Sequence, residues 1–228
     1  MEIYERDSNE SARDYAYNVI KENIVNLTLK PGETISDIKI SELLGISRTP
    51  IREAINKLKD ESNIIDVFPQ KGMRVSLIDV KIVNETKFLR LALEKEIIKN
   101  VCQVANEEDI LKLKQIYSMQ VFCYENKIFK EVSKLDSSLH ELLYKIADME
   151  KLYKMIKPAF IHYDRVRILE MSEEHLKNTI EDHRKLIVAI ENKNSDDAVK
   201  IMDSHLGRWE LNEKKLRKKY PDFFYRIS

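Results

Sequence analysis

The chain has 228 residues, of which 43% are hydrophobic, enough for one large domain or two of ordinary size. Its 39 basic and 39 acidic side chains cancel, so the overall charge neither indicates nor excludes a nucleic-acid partner. The N-terminal sequence lacks the basic and apolar segments of a signal peptide, and no apolar run approaches the roughly 18 residues that span a bilayer. We therefore expect a cytoplasmic protein with no membrane partner.

Glycine and proline are concentrated at one end of the chain. Three of the four glycines and three of the five prolines lie before residue 73. Because these residues interrupt regular structure, the pattern predicts short elements first and long helices afterwards. We place a domain boundary between a first domain, residues 1–77, and a second, residues 78–228. The predicted fold is mainly α, with a small β-hairpin in the first domain.

The first domain begins with an amphipathic helix, followed by a turn at residues 30–33. A short helix over 38–44 should end at Gly45, which suits the left-handed conformation found at helix ends. A second helix follows, with Ser47 or Thr49 as its cap and Pro50 in its first turn, where proline is tolerated. The apolar face of the first helix consists of Ala16, Val19, Ile20, Ile24 and Leu27.

The segment after these helices, residues 64–78, is rich in β-branched residues around a Pro-Gln-Lys-Gly turn. This pattern predicts a small hairpin, or wing. Two short helices joined by a tight turn and followed by such a wing are typical of a helix-turn-helix reader of DNA.

One face of the second helix carries groups suited to DNA contact. At about 100° per residue, Arg48, Thr49, Arg52 and Asn56 share an arc beside the stripe that is expected to be buried. Arginine can contact guanine through two hydrogen bonds, and asparagine can contact adenine. The same arc is also compatible with a solvated face in an ordinary three-helix unit, and the spacing alone does not decide between them. The stripe expected to be buried consists of Ile51, Ile55 and Leu58.

From residue 79 onward the hydrophobic pattern is helical almost without interruption. The seams recur every three or four residues, which predicts an all-helical bundle. The predicted helices cover 79–103, 107–126, 128–147, 150–170, 174–192 and 195–219.

Histidines fall on the apolar seams of this second domain. His183 lies between two isoleucines of its seam, and His205 lies on a similar stripe. Asp136 and His140 are spaced i, i+4 and therefore lie on one side of a helix. One carboxylate and three imidazoles that converge inside a bundle would suit a divalent transition metal. The alternative is that each histidine has its own separate hydrogen-bond partner, and the pattern alone leaves that open.

The helix-turn-helix segment closely resembles the GntR-type regulators. The match is strongest at LGISRTPIREA (residues 44–54) and continues with Pro69, Lys71 and Gly72 in the wing. It implies a winged helix-turn-helix in which Arg48, Thr49 and Arg52 contact operator DNA, while Gly72 lets the wing approach the DNA backbone closely. Asn56, on the same arc of the helix, and Lys71, on the wing, are expected to add contacts to the DNA. Two positions depart from the family pattern. Ile38 stands where relatives often carry an arginine, and Asn63 replaces a glycine but tolerates left-handed geometry.

Residues 79–218 resemble the FCD effector domain of the FadR subgroup, an antiparallel helical bundle. The matching segments are RLALE at 90–94, DSSLH at 136–140, EDH at 181–183 and SHL at 204–206. In metal-binding members, an Asp and three His at these places hold Zn²⁺, Ni²⁺ or a similar ion. The resemblance therefore implies a site formed by Asp136, His140, His183 and His205. It also implies a small carboxylate effector, for which we expect Arg90 and Arg165 as charge partners.

The sequence thus predicts a transcriptional regulator, most simply a repressor, in which a homodimer binds a palindromic operator in double-stranded DNA. Two alternatives are a purely structural metal and a bundle that dimerises without binding an effector. A third is a helical metalloenzyme with a DNA-binding module. No nucleophile–base pair, P-loop or di-metal motif is evident, so we expect no enzymatic activity.

Overall fold

The computed structural model describes residues 1–68, 70, 72–207 and 209–225, without the side chains of 209–212. The chain forms two compact units. Unit 1 comprises Met1–Asn84, Pro158–Leu169 and the residues from Lys215 onward. Unit 2 comprises Glu85–Lys157 and Glu170–Lys214. Two segments that follow the predicted boundary at 77/78 therefore pack with the N-terminal part of the chain.

Unit 1 contains the predicted helix-turn-helix. Its elements up to the sheet are helix α1 (Ala12–Val25), strand β1 (Thr34–Ile35), helix α2 (Asp37–Leu44) and helix α3 (Arg48–Ser62). The caps explain these bounds. The hydroxyl of Ser11 accepts from the backbone N–H of Asp14 at the start of α1, and Ser36 caps α2 in the same way.

Left-handed residues end both helices of the helix-turn-helix, as predicted. Gly45 follows α2 with φ of 65°, and Asn63 follows α3 with φ of 52°. Ser47 occupies the N-cap position of α3, but its side chain makes no capping hydrogen bond. The stripe predicted to be buried on α3 is confirmed, since Ile51, Ile55 and Leu58 are at most 1% exposed.

A three-stranded antiparallel sheet follows, in the order β1-β3-β2. The predicted wing is formed by β2 (Ile65–Phe68) and β3 (Gly72–Val75), which pair from Ile65 opposite Val75 to Phe68 opposite Gly72. The sequence did not predict β1, because two residues carry no detectable strand periodicity. Gly72 has φ of 93°, which favours glycine at this turn. The predicted contact residue Lys71 lies outside the described residues.

The segment 158–169 contributes helix α8 (Ile161–Leu169) to unit 1. Ile161 joins the apolar core formed by α1, α3 and the sheet. The ring Nε2 of His162 lies 3.1 Å from the backbone oxygen of Ser62, at the end of α3. Arg165 is fully buried and donates from Nη2 to the backbone oxygen of Ser76 at 2.6 Å. These bonds bind α8 to the end of α3 and to the residue that follows the wing.

The burial of His162 predicts a pH-dependent loss of stability. Burial and the nearby Arg165 charge lower its pKa to about 4, although the Ser62 bond and Asp79 oppose the shift. The unfolded chain binds this proton below about pH 6.5. The folded chain binds it only near pH 4, so stability falls as the pH drops through this window. For His162→Gln we expect the free energy of unfolding to vary less steeply there, by up to about 1.4 kcal/mol per pH unit.

Chemical unfolding of both proteins between pH 7.5 and pH 4 measures this difference. At pH 7.5 the imidazole is neutral in both states, so the gap between the proteins there reports only the packing effect of the substitution. Parallel curves over the whole range would contradict the assignment.

The described part of unit 2 contains helices and no strand. The helices of the second predicted domain outside α8 are α4 (Val80–Val104), α5 (Glu107–Glu125), α6 (Phe129–Ile146), α7 (Glu150–Ile156), α9 (Glu173–Glu191), α10 (Ser195–Gly207) and α11 (Trp209–Lys219). Helices α5 and α6 pack on each other, α9 packs on both α5 and α10, and α7 packs on α6. Cys123, Val132, Leu176 and Ile180 form one apolar cluster.

The prediction of a single helix over residues 150–170 is wrong. The structure has α7, a 3₁₀ turn at Lys157–Phe160, and then α8. Pro158 lies in that turn, where its ring and missing N–H prevent a continuous α-helix. The last predicted helix, 195–219, is described as α10 and α11, and residue 208 between them lies outside the described residues.

Among the helices that the structure describes, none combines the length and apolar character required to cross a bilayer.

Candidate functional site

Three helices of unit 2 bring the four predicted metal ligands together. Asp136 and His140 lie one turn apart on α6, His183 lies on α9 and His205 on α10. One ligand atom from each lies within 4.8 Å of the others. Asp136, His140 and His183 are at most 2% exposed.

The Asp136 carboxylate lies among the three imidazoles. Its Oδ1 is 3.3 Å from Nε2 of His183 and 3.7 Å from Nε2 of His205. Its Oδ2 is 3.8 Å from Nε2 of His140. The Nε2 atoms of His140 and His205 are themselves 3.3 Å apart. All three rings therefore direct the same nitrogen towards one small volume beside a carboxylate.

Each imidazole has a polar partner at its other nitrogen. Nδ1 of His183 donates to Oε1 of Gln120 at 2.8 Å. Nδ1 of His140 lies 2.5 Å from Oε2 of Glu94, and Nδ1 of His205 lies 3.4 Å from Oδ2 of Asp182. Protons held at Nδ1 would leave the Nε2 lone pairs facing the shared volume. Outer partners orient the histidines of metal sites in this way.

The electrostatics of the cluster favour neutral imidazoles. Burial lowers the pKa of His205 to about 3, and burial also lowers the pKa of His140 although Glu94 opposes it. Nε2 of His183 is buried and has no hydrogen-bond partner among the described residues. A buried imidazole nitrogen without a hydrogen-bond partner is a ready metal ligand.

The charges around the cluster also suit a divalent cation. Burial acts to raise the pKa of Glu94, but Arg90 and the contact with His140 outweigh it and lower that pKa to about 2. Glu94 is therefore ionised, and Arg90 pairs with it at 2.7 Å. Two more carboxyl groups lie beside the imidazoles, that of Asp136 at 3.3 Å from Nε2 of His183 and that of Asp182 at 3.4 Å from Nδ1 of His205. A nitrogen-rich set with one carboxylate ligand fits Zn²⁺ or Ni²⁺.

The two arginines predicted to contact an effector lie in different units. Arg90 is on α4 in unit 2 and reaches the cluster through Glu94 and His140. Arg165 is in unit 1, where it is bound to Ser76. Arg165 therefore belongs to a different unit from the cluster, and its part in effector binding stays a prediction.

The predicted DNA-contacting side chains of α3 lie within its first three turns. Arg48, Thr49, Arg52 and Asn56 are all exposed, as is Gly72 at the start of β3. The side chains of Arg48 and Arg52 are 48% and 61% exposed.

Several polar residues of these sites were not predicted from the sequence. Asp37 bonds Arg48 and Arg52, while Glu94, Gln120 and Asp182 contact the three imidazoles. Glu94 and Asp182 each stood within a segment that resembles the FCD pattern, but that likeness gave them no role. Gln120 carried no recognisable signal because its partner is 63 residues away.

Comparison with known sequences and structures agrees with this architecture. The profile of bacterial regulatory proteins of the gntR family matches residues 13–75, and that of the FCD domain matches residues 86–208. The HTH-type transcriptional repressor RspR of Escherichia coli K12 is 28% identical over 211 residues, which is 91% of each chain. The regulator YdhC of Bacillus subtilis is also 28% identical, over 84% of this chain and 86% of its own.

Among solved structures, McbR/YncC of Escherichia coli aligns with a TM-score of 0.78 at 20% identity, covering 92% of this chain and 99% of that one. At this identity the alignment shows the fold alone. The FCD profile covers more than half of the sequence, and the relatives are named transcriptional regulators and not enzymes. The chain belongs to the GntR family of bacterial transcriptional regulators, in the group whose DNA-binding domain is followed by an FCD domain.

Proposed function

We propose that this regulator is a metal-dependent repressor that responds to a small carboxylate. A homodimer binds a palindromic operator through the start of α3, and an effector in unit 2 lowers its affinity for that operator. The part of this proposal that concerns the metal and the effector rests on one observation, the convergence of three Nε2 atoms on the Asp136 carboxylate.

Asp136, His140, His183 and His205 would hold the metal. Four protein ligands of this kind leave coordination positions for water or an effector oxygen in an ion that accepts five or six ligands. When bound, such an ion supplies Lewis-acid attraction for a carboxylate. Glu94, Gln120 and Asp182 orient the three rings, and the buried surroundings keep the imidazoles of His140 and His205 neutral over the physiological range.

Arg90 and Tyr144 are the side chains best placed to recognise an anionic effector beside that ion. Tyr144 lies one turn after His140 on α6 and is fully buried. Its hydroxyl has no hydrogen-bond partner among the described residues. Burial and the neighbouring Glu94 raise its pKa, so it remains a proton donor. An unsatisfied buried hydroxyl costs roughly 1–3 kcal/mol, which an effector oxygen would recover.

The repressor assignment is supported by one relative, RspR, which is named a transcriptional repressor and aligns with most of this chain. A two-fold symmetric dimer would present two α3 helices to adjacent major grooves of a palindrome. Arg48, Thr49, Arg52 and Asn56 would contact base edges and phosphates there, with Lys71 and Gly72 at the backbone. Regulation requires the effector to bind the DNA-free state more tightly than the DNA-bound state.

The test uses a duplex selected by the protein itself from a randomised DNA library. Its affinity is measured by fluorescence anisotropy with a panel of small carboxylates, for zinc-loaded, nickel-loaded and chelator-treated protein. We expect one acid to weaken binding roughly 5- to 150-fold, the usual range of allosteric coupling, and only in a metal-loaded form.

The alternatives give different results in the same experiment. If chelation unfolds unit 2 and no acid changes DNA affinity, the metal is structural only. If no acid changes DNA affinity and the protein remains folded without metal, the bundle serves only to dimerise the protein. Either result would overturn the proposed effector response while leaving DNA binding intact.

A further inference from the structure

A single carboxylate lies between the two arginines of the DNA-reading helix. Oδ2 of Asp37 accepts from Nε of Arg48 at 3.3 Å and from its Nη2 at 2.9 Å. The same oxygen accepts from Nε of Arg52 at 2.7 Å.

The local structure explains how the three groups meet. Asp37 is the first residue of α2, directly after the Ser36 cap, and Arg48 is the first residue of α3. Arg52 follows Arg48 by one turn, so both arginines lie on one side of α3. The Asp37 side chain is 13% exposed, against 48% and 61% for the two arginines. The carboxylate thus lies beneath the guanidinium groups.

Asp37 is a fixed negative charge. Burial acts to raise its pKa, but the hydrogen bonds and charges of Arg48 and Arg52 outweigh it and hold the pKa below its ordinary value. The three side chains together carry one positive charge, half of what the two arginines would carry alone. Since attraction to phosphate follows the local cation count, this surface binds DNA backbone less strongly than two unpaired arginines would.

The bonds also determine which guanidinium atoms face outward. Arg52 uses only its Nε, and Arg48 uses Nε and one terminal nitrogen. The planar fork has five N–H groups, so an end-on approach to the two acceptors on guanine stays open, most completely for Arg52. Two long side chains held by one carboxylate also have less rotamer freedom to lose on binding.

We propose that Asp37 is a positioning residue that makes this regulator selective for its operator over other DNA. It directs the arginine termini towards base edges while its charge weakens binding to phosphate alone. The inference rests on the proposed DNA-reading role of α3. It concerns a residue of α2 for which we infer no contact with DNA.

The test compares two duplexes, one selected by the native protein from a randomised library and one of the same composition in scrambled order. For Asp37→Asn we expect tighter binding to the scrambled duplex and weaker or unchanged binding to the selected one. The ratio of the two affinities should fall at least about 10-fold. The salt dependence of scrambled-duplex binding should steepen by about 0.9 in logarithmic slope, equivalent to one more neutralised phosphate.

Two control variants separate charge from geometry. Glu42→Gln removes a carboxylate from the exposed surface of the same helix and should change both affinities together, with the ratio preserved. Asp37→Glu keeps the charge and should restore the native salt slope together with part of the selectivity. Circular dichroism and thermal unfolding establish that each variant is folded.

Three results would overturn the inference. If Asp37→Asn raises both affinities equally, as Glu42→Gln does, the carboxylate is only a counter-charge. If it lowers both affinities equally in a folded protein, Asp37 only supports α2. If the native chain enriches no sequence from the library, the DNA-reading role fails as well. That last failure is seen with the native protein alone, before any variant is measured.

Discussion

Replacing Arg48 and Arg52 together with alanine is expected to weaken binding to the selected operator duplex by at least about 100-fold. Each arginine that contacts a guanine through two hydrogen bonds contributes roughly 1–3 kcal/mol of discrimination, and two such contacts combine. Both guanidinium groups lie at the exposed start of α3, and the buried stripe of that helix does not involve them. The fold should therefore survive while DNA binding is lost. Anisotropy at moderate salt measures the affinity, and thermal unfolding measures the stability.

A matched control removes the same formal charge elsewhere in unit 1. Arg13 is half-exposed on α1 and pairs with Asp14, and Lys59 is exposed near the end of α3. We expect the Arg13→Ala, Lys59→Ala double variant to bind the selected duplex with an affinity within a few-fold of the native value. The two lost charges should weaken only the general electrostatic attraction to DNA phosphates. Equal losses in both double variants would show that bulk charge determines binding and that α3 has no special role.

The elements of unit 1 that local chemistry specifies were predictable. The isoleucine and leucine stripe of α3 follows from helical periodicity. Gly45 and Asn63 are residue types that predict the left-handed conformation at the ends of two helices. Strand β1 was not predictable, because two residues form a strand only through pairing with β3, about 40 positions later. Pro158 itself indicates a break in the helix. The prediction of one long helix was wrong because it followed the apolar pattern through this proline.

Long-range packing accounts for what was missed. The helical pattern of α8 indicates a helix but not which unit it joins, and its residues His162 and Arg165 bond to Ser62 and Ser76, 100 and 89 positions away. The sequence pattern therefore predicts the helix but not the unit with which it packs.

The predicted metal ligands illustrate the opposite case. The i, i+4 spacing of Asp136 and His140 places them on one face, His183 and His205 fall on apolar seams, and the family resemblance joined the four into one set. Their convergence required three helices to pack in one particular register, which no local pattern specifies. The outer partners Gln120 and Asp182 belong to that register too, because each contacts a ring on another helix.

Replacing His183 with alanine should lower the affinity for Zn²⁺ or Ni²⁺ by at least about 100-fold. Loss of an outer hydrogen-bond partner alone lowers metal affinity about 10- to 100-fold, and removal of a ligand should exceed that. Native protein should also gain stability on metal addition, by about 2.7 kcal/mol at a free concentration 100 times the dissociation constant. The variant should show little of that gain at the same concentration. Competition with a chelating dye measures the affinity, and thermal unfolding with and without metal measures the gain.

His175→Ala is the matched control, since it removes a histidine from the same helix, two turns before His183 and outside the cluster. It should keep both the native affinity and the native stability gain. The two variants together test the geometry and not merely the number of histidines in the chain. A metal-dependent stability gain in His183→Ala equal to that of His175→Ala would contradict the site. The ion would then be held without an imidazole whose buried Nε2 has no hydrogen-bond partner among the described residues.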